Sequence, residues 1–321
     1  MYQSPLEYYS SPDLIKVSNK IYALSFKYMK VPSVKFVIDK LILENKIDPT
    51  IHELVETSSG TYAMSLAIVS KQMKLKSTII IDGSVDENFR MMLKALGTKV
   101  IKISDNKLSQ NERIDFTTRY ISEQPETRLW LNQYDSPEHS EGYEAIGKFI
   151  AGQLGAVQLV GAVGSGASTS GIYQGLSDAE PDTKLIGIDL VGSVIFGGEN
   201  GIRDISGIGS AIVPKNVNHN LYDRVHYLSS TYIKKATLDL IKETALFFGY
   251  TSGAGYLVSK YESLNSELPI VFICPDMKER YDQQLRKSFK TEGFESFDFG
   301  LPDIVSCAKH VCSDWSIMRL K

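Results

Sequence analysis

Between Val163 and Gly171 the chain reads VGSGASTSG, directly after the apolar run VQLVGAV (Val157–Val163). A strand that passes through a Gly- and Ser-rich turn into a helix presents backbone N–H groups and the positive end of a helix dipole, which together bind an anion such as phosphate. The hydroxyls of Ser165, Ser168, Thr169 and Ser170 can add donors. No P-loop lysine follows, and the spacing of Gly164, Gly166 and Gly171 does not fit the dinucleotide fingerprint. Any phosphate held here belongs to another ligand. A tight strand-to-helix connection without a ligand is the alternative reading of the same residues. Three more segments stand at helix openings: Ser33-Val34-Lys35, Glu56-Thr57-Ser58-Ser59-Gly60-Thr61, and TSGAG (Thr251–Gly255).

The elements that must position these residues follow from hydrophobic periodicity. Strands are expected at Ser77–Asp82, Lys99–Ser104, Arg128–Asn132, Val157–Val163, Lys184–Leu190 and Pro269–Asp276. Phe89, Met92, Leu93 and Leu96 recur at helical spacing before Gly97, so Asp86–Leu96 reads as an amphipathic helix. Val34, Ile38, Leu41 and Ile42 make a similar stripe, and Met64, Leu66, Ala67 and Ile68 lie in a more apolar helix. This alternation predicts a doubly wound α/β protein, mostly parallel, with two sheets rather than one. Val191–Ser229 breaks the rhythm; its glycines suggest a loop, and Ile195, Phe196, Ile208, Ile212 and Val213 argue against disorder. A substrate-facing loop is the expectation.

Composition narrows the classes. The 321 residues suffice for two domains, and a net charge of −3 leaves no electrostatic footprint for nucleic acid. Three cysteines make no disulfide framework, the opening MYQSPLEYYSSPD is no secretory signal, and no apolar run reaches membrane-spanning length. A cytoplasmic protein with no membrane or nucleic-acid partner is expected. Cys307, His310 and Cys312 are too few for a structural zinc site, and His52, His139, His219 and His226 show no metal spacing, so no metal is expected.

The four openings, in this order, resemble those of the fold-type-II pyridoxal-phosphate enzymes, the cysteine synthase family. NQYDSPEH (Asn132–His139) and GIGSAIVP (Gly207–Pro214) match further family segments, so the resemblance covers nearly the whole chain. GSVIFG (Gly192–Gly197), WLNQY (Trp130–Tyr134) and PDMKERY (Pro275–Tyr281) look closest to the branch that makes the siderophore 2,3-diaminopropionate precursor from O-phosphoserine and glutamate.

The resemblance implies a tryptophan-synthase-β-like fold with pyridoxal 5'-phosphate as cofactor. Lys35 would form the Schiff base, leaving Lys27, Lys30 and Lys40 to the surface. Gly164, Ser165, Gly166, Ala167 and Ser168 would hold the cofactor phosphate, with Ala167 replacing a usual Gly. Ser252 would hydrogen-bond the pyridine nitrogen; a hydroxyl there leaves the ring largely neutral, which favours β-elimination and β-replacement over transamination. Ser58, Ser59, Gly60 and Thr61 would bind the substrate carboxylate, helped by Gln133 and Gly207. Two departures are visible. Thr61 stands where the family has an Asn to the ring oxygen, and Phe36-Val37 follow Lys35 where Asp-Arg is usual. Arg203 suits bidentate recognition of a phosphate or carboxylate, unless it pairs with Asp204 or Glu199.

The resulting expectation is β-replacement on an activated L-serine, O-phosphoserine or O-acetylserine, through an aminoacrylate, with an amino nucleophile such as glutamate. Sulfide as nucleophile (a cysteine synthase), a cysteine or serine β-lyase, and a non-catalytic cofactor-binding protein are the alternatives. A smaller mobile domain is placed at 32–143 and a larger cofactor-binding domain at 1–31 plus 144–321, with the cofactor at strand carboxyl ends. The family also implies amino-acid substrates and a homodimer.

Overall fold

The computed structural model describes residues 1–275, 282–292, 295, 297–311 and 313–321. The chain divides into two compact units, Met1–Ser11 with Tyr28–Gly142, and Pro12–Lys27 with Tyr143–Lys321. Both depart from the expected boundaries in the same way, since residues 1–11 and 28–31 join the smaller unit. The reason is packing: Leu6, Tyr9 and Tyr28 lie against that unit's core.

Strands in chain order are β1 Asp13–Lys16, β2 Ile21–Ser25, β3 Glu53–Thr57, β4 Lys76–Ile81, β5 Lys99–Lys102 and β6 Arg128–Trp130. They continue as β7 Gln158–Ala162, β8 Lys184–Leu190, β9 Arg224–Leu228, β10 Ile270–Cys274, β11 Asp303–Val305 and β12 Trp315–Arg319. Helices α1 Pro5–Ser10, α2 Lys30–Leu43, α3 Thr61–Met73, α4 Glu87–Ala95, α5 Gln110–Ser122 and α6 Glu138–Glu141 belong to the smaller unit. The larger carries α7 Glu144–Leu154, α8 Ala167–Ala179, α9 Ser230–Thr244, α10 Tyr250–Ser263 and α11 Asp282–Glu292.

The smaller unit is built on a parallel sheet of order β5-β4-β3-β6. Side chains of β3 and β4 are buried on both faces, as helices on each side require. Ser109 and Glu112 cap α5 reciprocally, and the Asp86 carboxylate accepts from the N–H groups of Asn88 and Phe89 to start α4.

In the larger unit the sheet runs β1-β2-β10-β7-β8-β9-β12-β11. Its centre, from β2 through β9, is parallel, while β1 and β12 pair antiparallel with β2 and β9. β7, β8 and β10 are buried almost throughout and feed the core around Val160, Ile188 and Phe272. The long segment after β8 packs Ile195, Phe196, Ile205 and Ile208 inward, though Val213 stays exposed, and the segment ends in β9. No helix among the described residues is long and apolar enough to cross a membrane.

Candidate active site

In the larger unit, β7 ends at Ala162 and the chain turns through Gly164-Ser165-Gly166 into α8. Gly166 sits in the left-handed region at φ 82°, and a Cβ there would lie 2.6 Å from Val217 Cγ2. No side chain caps α8, and its first internal bond runs from Ser170 N–H to Gly166 O at 3.0 Å. The N–H groups of Ala167, Ser168 and Thr169 therefore have no acceptor within the helix, the condition for an anion-binding helix start. Ser165 and Ser168 are buried at this turn. The other two hydroxyls are used in the fold: Thr169 Oγ1 donates to Gly166 O at 3.0 Å and meets the Tyr222 hydroxyl at 2.7 Å, and Ser170 Oγ donates to Asn216 O at 3.4 Å.

Two other loops converge on the turn. Gly209 N–H donates to Val163 O at 2.8 Å. A Cβ on Gly164 would stand 3.4 Å from Gly207 O, and one on Gly207 would stand 3.5 Å from Thr251 Cγ2. Ser252, next to Thr251 near the start of α10, is fully buried, and its hydroxyl has no hydrogen-bond partner. An orphaned buried hydroxyl costs about 1–3 kcal/mol unless something bonds to it. Asp189, in β8, was not anticipated from sequence. It is fully buried beside Gly209, burial pushes its carboxyl up to about 7, and the only signal was an acid inside the run KLIGIDL.

Arg203 bends back on its own loop. Its Nη1 donates to Gly192 O, to Asn200 Oδ1 at 2.9 Å and to Gly201 O at 3.1 Å, while Asp204 pairs with Lys234.

The smaller unit carries the rest of the predicted residues. After β3, Ser58-Ser59-Gly60 leads into α3 at Thr61 with no side-chain cap, and Gly60 N–H donates to Ser58 Oγ at 3.3 Å. Glu56, fully buried in β3, accepts from Trp130 Nε1 at 3.0 Å, from Thr57 N–H at 2.8 Å and from Gln133 N–H at 3.4 Å. One carboxyl thus ties the loop after β6, with buried Gln133, to the strand that ends at the Ser58–Gly60 loop. Burial raises it to about 7 against those three donors.

The lysines of α2 lie in the smaller unit. The Lys35 side chain is 40% exposed and ion-paired with Asp39 one turn on. Lys30, expected at the surface, opens α2; burial lowers its amine to about 8, with Glu56 pulling the other way. Phe36 lies where α6 ends, its Cβ 3.0 Å from where a Gly142 Cβ would be. Buried His139 joins the same helix. Its Nδ1 stands 2.8 Å from Ser33 Oγ and its Nε2 3.2 Å from Leu131 O.

These features fit pyridoxal phosphate. An open helix start with a left-handed glycine suits its phosphate, and the partnerless Ser252 hydroxyl suits a ring nitrogen that needs no carboxylate. Sheets of this kind with such a phosphate turn and such a serine define the fold-type-II pyridoxal-phosphate enzymes.

Comparison with known proteins agrees. The profile described as "Pyridoxal-phosphate dependent enzyme" matches residues 14–276. The chain is 28% identical over 260 residues to an N-(2-amino-2-carboxyethyl)-L-glutamate synthase of Cupriavidus metallidurans, covering 77% of this chain and 75% of that one. It is 26% identical over 252 residues to a cysteine synthase of Helicobacter pylori, covering 77% and 82%. Among solved structures, O-acetyl serine sulfhydrylase isoform 3 of Entamoeba histolytica superposes with TM-score 0.83 at 19% identity over 94% of each chain. The chain belongs to the pyridoxal-phosphate-dependent enzyme family, in its cysteine synthase group. PDMKERY lies largely outside the described residues, as does Cys312.

Proposed function

We propose that the protein catalyses β-replacement on an activated L-serine, with an amino nucleophile such as glutamate, giving a 2,3-diaminopropionate precursor. The observation that carries this reading is Ser252: a buried hydroxyl rather than a carboxylate at the start of α10. Pyridoxal phosphate supplies an electron sink for the pair left on Cα, and an unprotonated ring makes that sink shallow, so expulsion of a β-substituent outruns reprotonation. The N–H groups opening α8, with Ser165 and Ser168, would hold its phosphate. Ser58, Ser59, Gly60 and Thr61 at the start of α3 would hold the substrate carboxylate, with Gln133 beside them. Lys35 would carry the cofactor aldehyde through its amine, and that amine would hold and move the Cα proton. Arg203 supports a phosphate leaving group or a carboxylate-bearing nucleophile only if part of its guanidinium turns from the loop carbonyls it now meets.

The Cupriavidus relative's name supports glutamate as nucleophile, and the Helicobacter relative's name supports sulfide as a second reading. The cofactor-loaded protein should be mixed with O-phosphoserine or O-acetylserine, then with glutamate, sulfide or no nucleophile, and products identified by mass. The glutamate adduct of the serine-derived carbon skeleton is expected; cysteine formed in preference would move the protein to the second reading. Pyruvate alone would make it a lyase, and a transaminated product would overturn β-chemistry altogether. A cytoplasmic homodimer belongs to the same proposal, testable by sedimentation.

A further inference from the structure

We propose that His139 is a positioning residue for the β-replacement: its imidazole joins the helix that carries Lys35 to the helix start that would hold the substrate carboxylate. This rests on the reading that Lys35 carries the cofactor and Ser58–Thr61 the carboxylate, and it adds the group that spaces them.

All the residues concerned lie in the smaller unit. Ser33 is two residues before Lys35 on α2, and its Oγ stands 2.8 Å from His139 Nδ1 and 2.9 Å from His139 O. Tyr62 follows Thr61 in the first turn of α3, and its hydroxyl stands 3.2 Å from His139 Nε2. The two rings meet edge to face, 5.4 Å between centroids. Ser33, Tyr62 and His139 are all buried, so these contacts form out of bulk water. The helix that bears the imidazole is itself pressed onto α2. A Cβ at Gly142 would stand 2.8 Å from Ser33 Cα and 3.2 Å from Pro32 O, and Glu141 pairs with Lys40 at 3.1 Å. His139 thus belongs to a short helix docked along α2 from Pro32 to Lys40, a stretch that brackets Lys35.

The hydrogens assign the roles. A hydroxyl has one hydrogen and a carbonyl oxygen has none, so Ser33 Oγ donates to His139 O and takes the Nδ1 hydrogen. Nε2 then keeps its lone pair and accepts from the Tyr62 hydroxyl. Burial pushes the ring's pKa down to about 4 against the pull of the Leu131 carbonyl, with Lys30 of α2 lowering it further and Glu138 of α6 opposing. The ring is therefore neutral at neutral pH. If the Tyr62 hydroxyl is removed, the hydrogen can move to Nε2 and be donated to Leu131 O at 3.2 Å, while Nδ1 accepts from Ser33. Both ring nitrogens stay bonded and the fold loses little, whereas α3 loses its tie to α2. That difference separates positioning from packing.

The test titrates the visible band of the pyridoxal-phosphate-loaded protein with L-alanine, which brings the substrate's carboxylate and amine without a β-leaving group. His139→Asn keeps an N–H near the place of Nδ1 and lacks the Nε2 edge. Tyr62→Phe removes one oxygen and carries the test should His139→Asn not fold. Each should weaken L-alanine binding about tenfold, the worth of one hydrogen bond. Cofactor should stay bound on dialysis, and the urea midpoint of the apo protein should match that of the natural chain. The double variant should lose no more than either single one, because both cut the same link. In turnover of O-acetylserine or O-phosphoserine, KM should rise while kcat holds. Unchanged L-alanine affinity in Tyr62→Phe, losses that add in the double variant, or a weakening matched by a fallen urea midpoint would overturn the role and leave the proposed function standing. A natural chain that shows no visible band with added cofactor would overturn both.

Discussion

Ser252 has a hydroxyl that the fold itself does not use. Ser252→Ala should therefore leave the melting temperature of the apo protein unchanged or slightly raised, because a desolvated hydroxyl is removed. Cofactor affinity should fall about tenfold, the worth of one hydrogen bond of about 1–1.5 kcal/mol. Calorimetry on apo and loaded protein checks both halves; a lower apo melting point with unchanged affinity would make the serine a structural cap. Gly166 is the complementary case. Gly166→Ala would force a side chain into φ 82° and within 2.6 Å of Val217 Cγ2, a loss of about 2 kcal/mol or more in urea unfolding together with weakened phosphate binding. The glycines and serines that open α8 and α3 were legible in the sequence because turn and helix-start signals are local. The surroundings of the lysines were not, because burial along α2 is set by tertiary packing that residue spacing does not show.

At the level of elements, all six strands read from apolar runs are present, with edges shifted by a residue or two. Those not anticipated include β1, β3, β9, β11 and β12. β3 hides a buried Glu56 and β9 a buried His226, and a charged or titratable residue interrupts the apolar pattern that marks a strand. The register of β9 and β12 depends on such a group. Trp315 Nε1 donates to His226 Nδ1 at 3.0 Å, His226 Nε2 meets Glu262 Oε1 at 2.9 Å, and Arg224 Nη2 meets Glu262 Oε2 at 2.8 Å. Trp315→Phe would keep the ring packing but leave a buried nitrogen without a donor. Destabilisation of about 1–3 kcal/mol in chemical denaturation is expected, with the fold retained. An effect below a few tenths would show that water replaces the indole.

At the scale of the whole molecule, stability against pH reflects buried groups with opposite slopes, His139 on one side and Glu56, together with Asp189 of the larger unit, on the other. An unfolded histidine takes its proton near 6.5, whereas His139 resists until about 4, so the unfolded chain binds more protons in that window and stability falls as pH falls through it. Glu56 holds its proton up to about 7 against 4.5 unfolded, so its contribution is lost as pH rises through that window. Between about 4.5 and 6.5 the two slopes oppose, each near 1.4 kcal/mol per pH unit. Glu56→Gln should remove one of them, so that the variant loses about 1.4 kcal/mol per pH unit relative to the natural chain as pH falls from about 6.5 to 4.5. Urea midpoints at pH 4.5, 5.5 and 6.5, followed by Trp130 fluorescence in a Trp315→Phe background, measure it; parallel profiles with and without Glu56 would refute the pairing.

The pairing of Ile270 with Ile21 in a parallel register means that β2 acquires one of its two neighbours only when a segment far downstream in the chain has left the ribosome. Until then the early hairpin of β1 and β2 shows the growing polypeptide an unsatisfied row of amides, open to any passing extended segment. Expression at low temperature or with holding chaperones should accordingly raise soluble yield more than any substitution near the anion loops. Shortened versions ending before residue 270 should accumulate as aggregates, however well their other elements form.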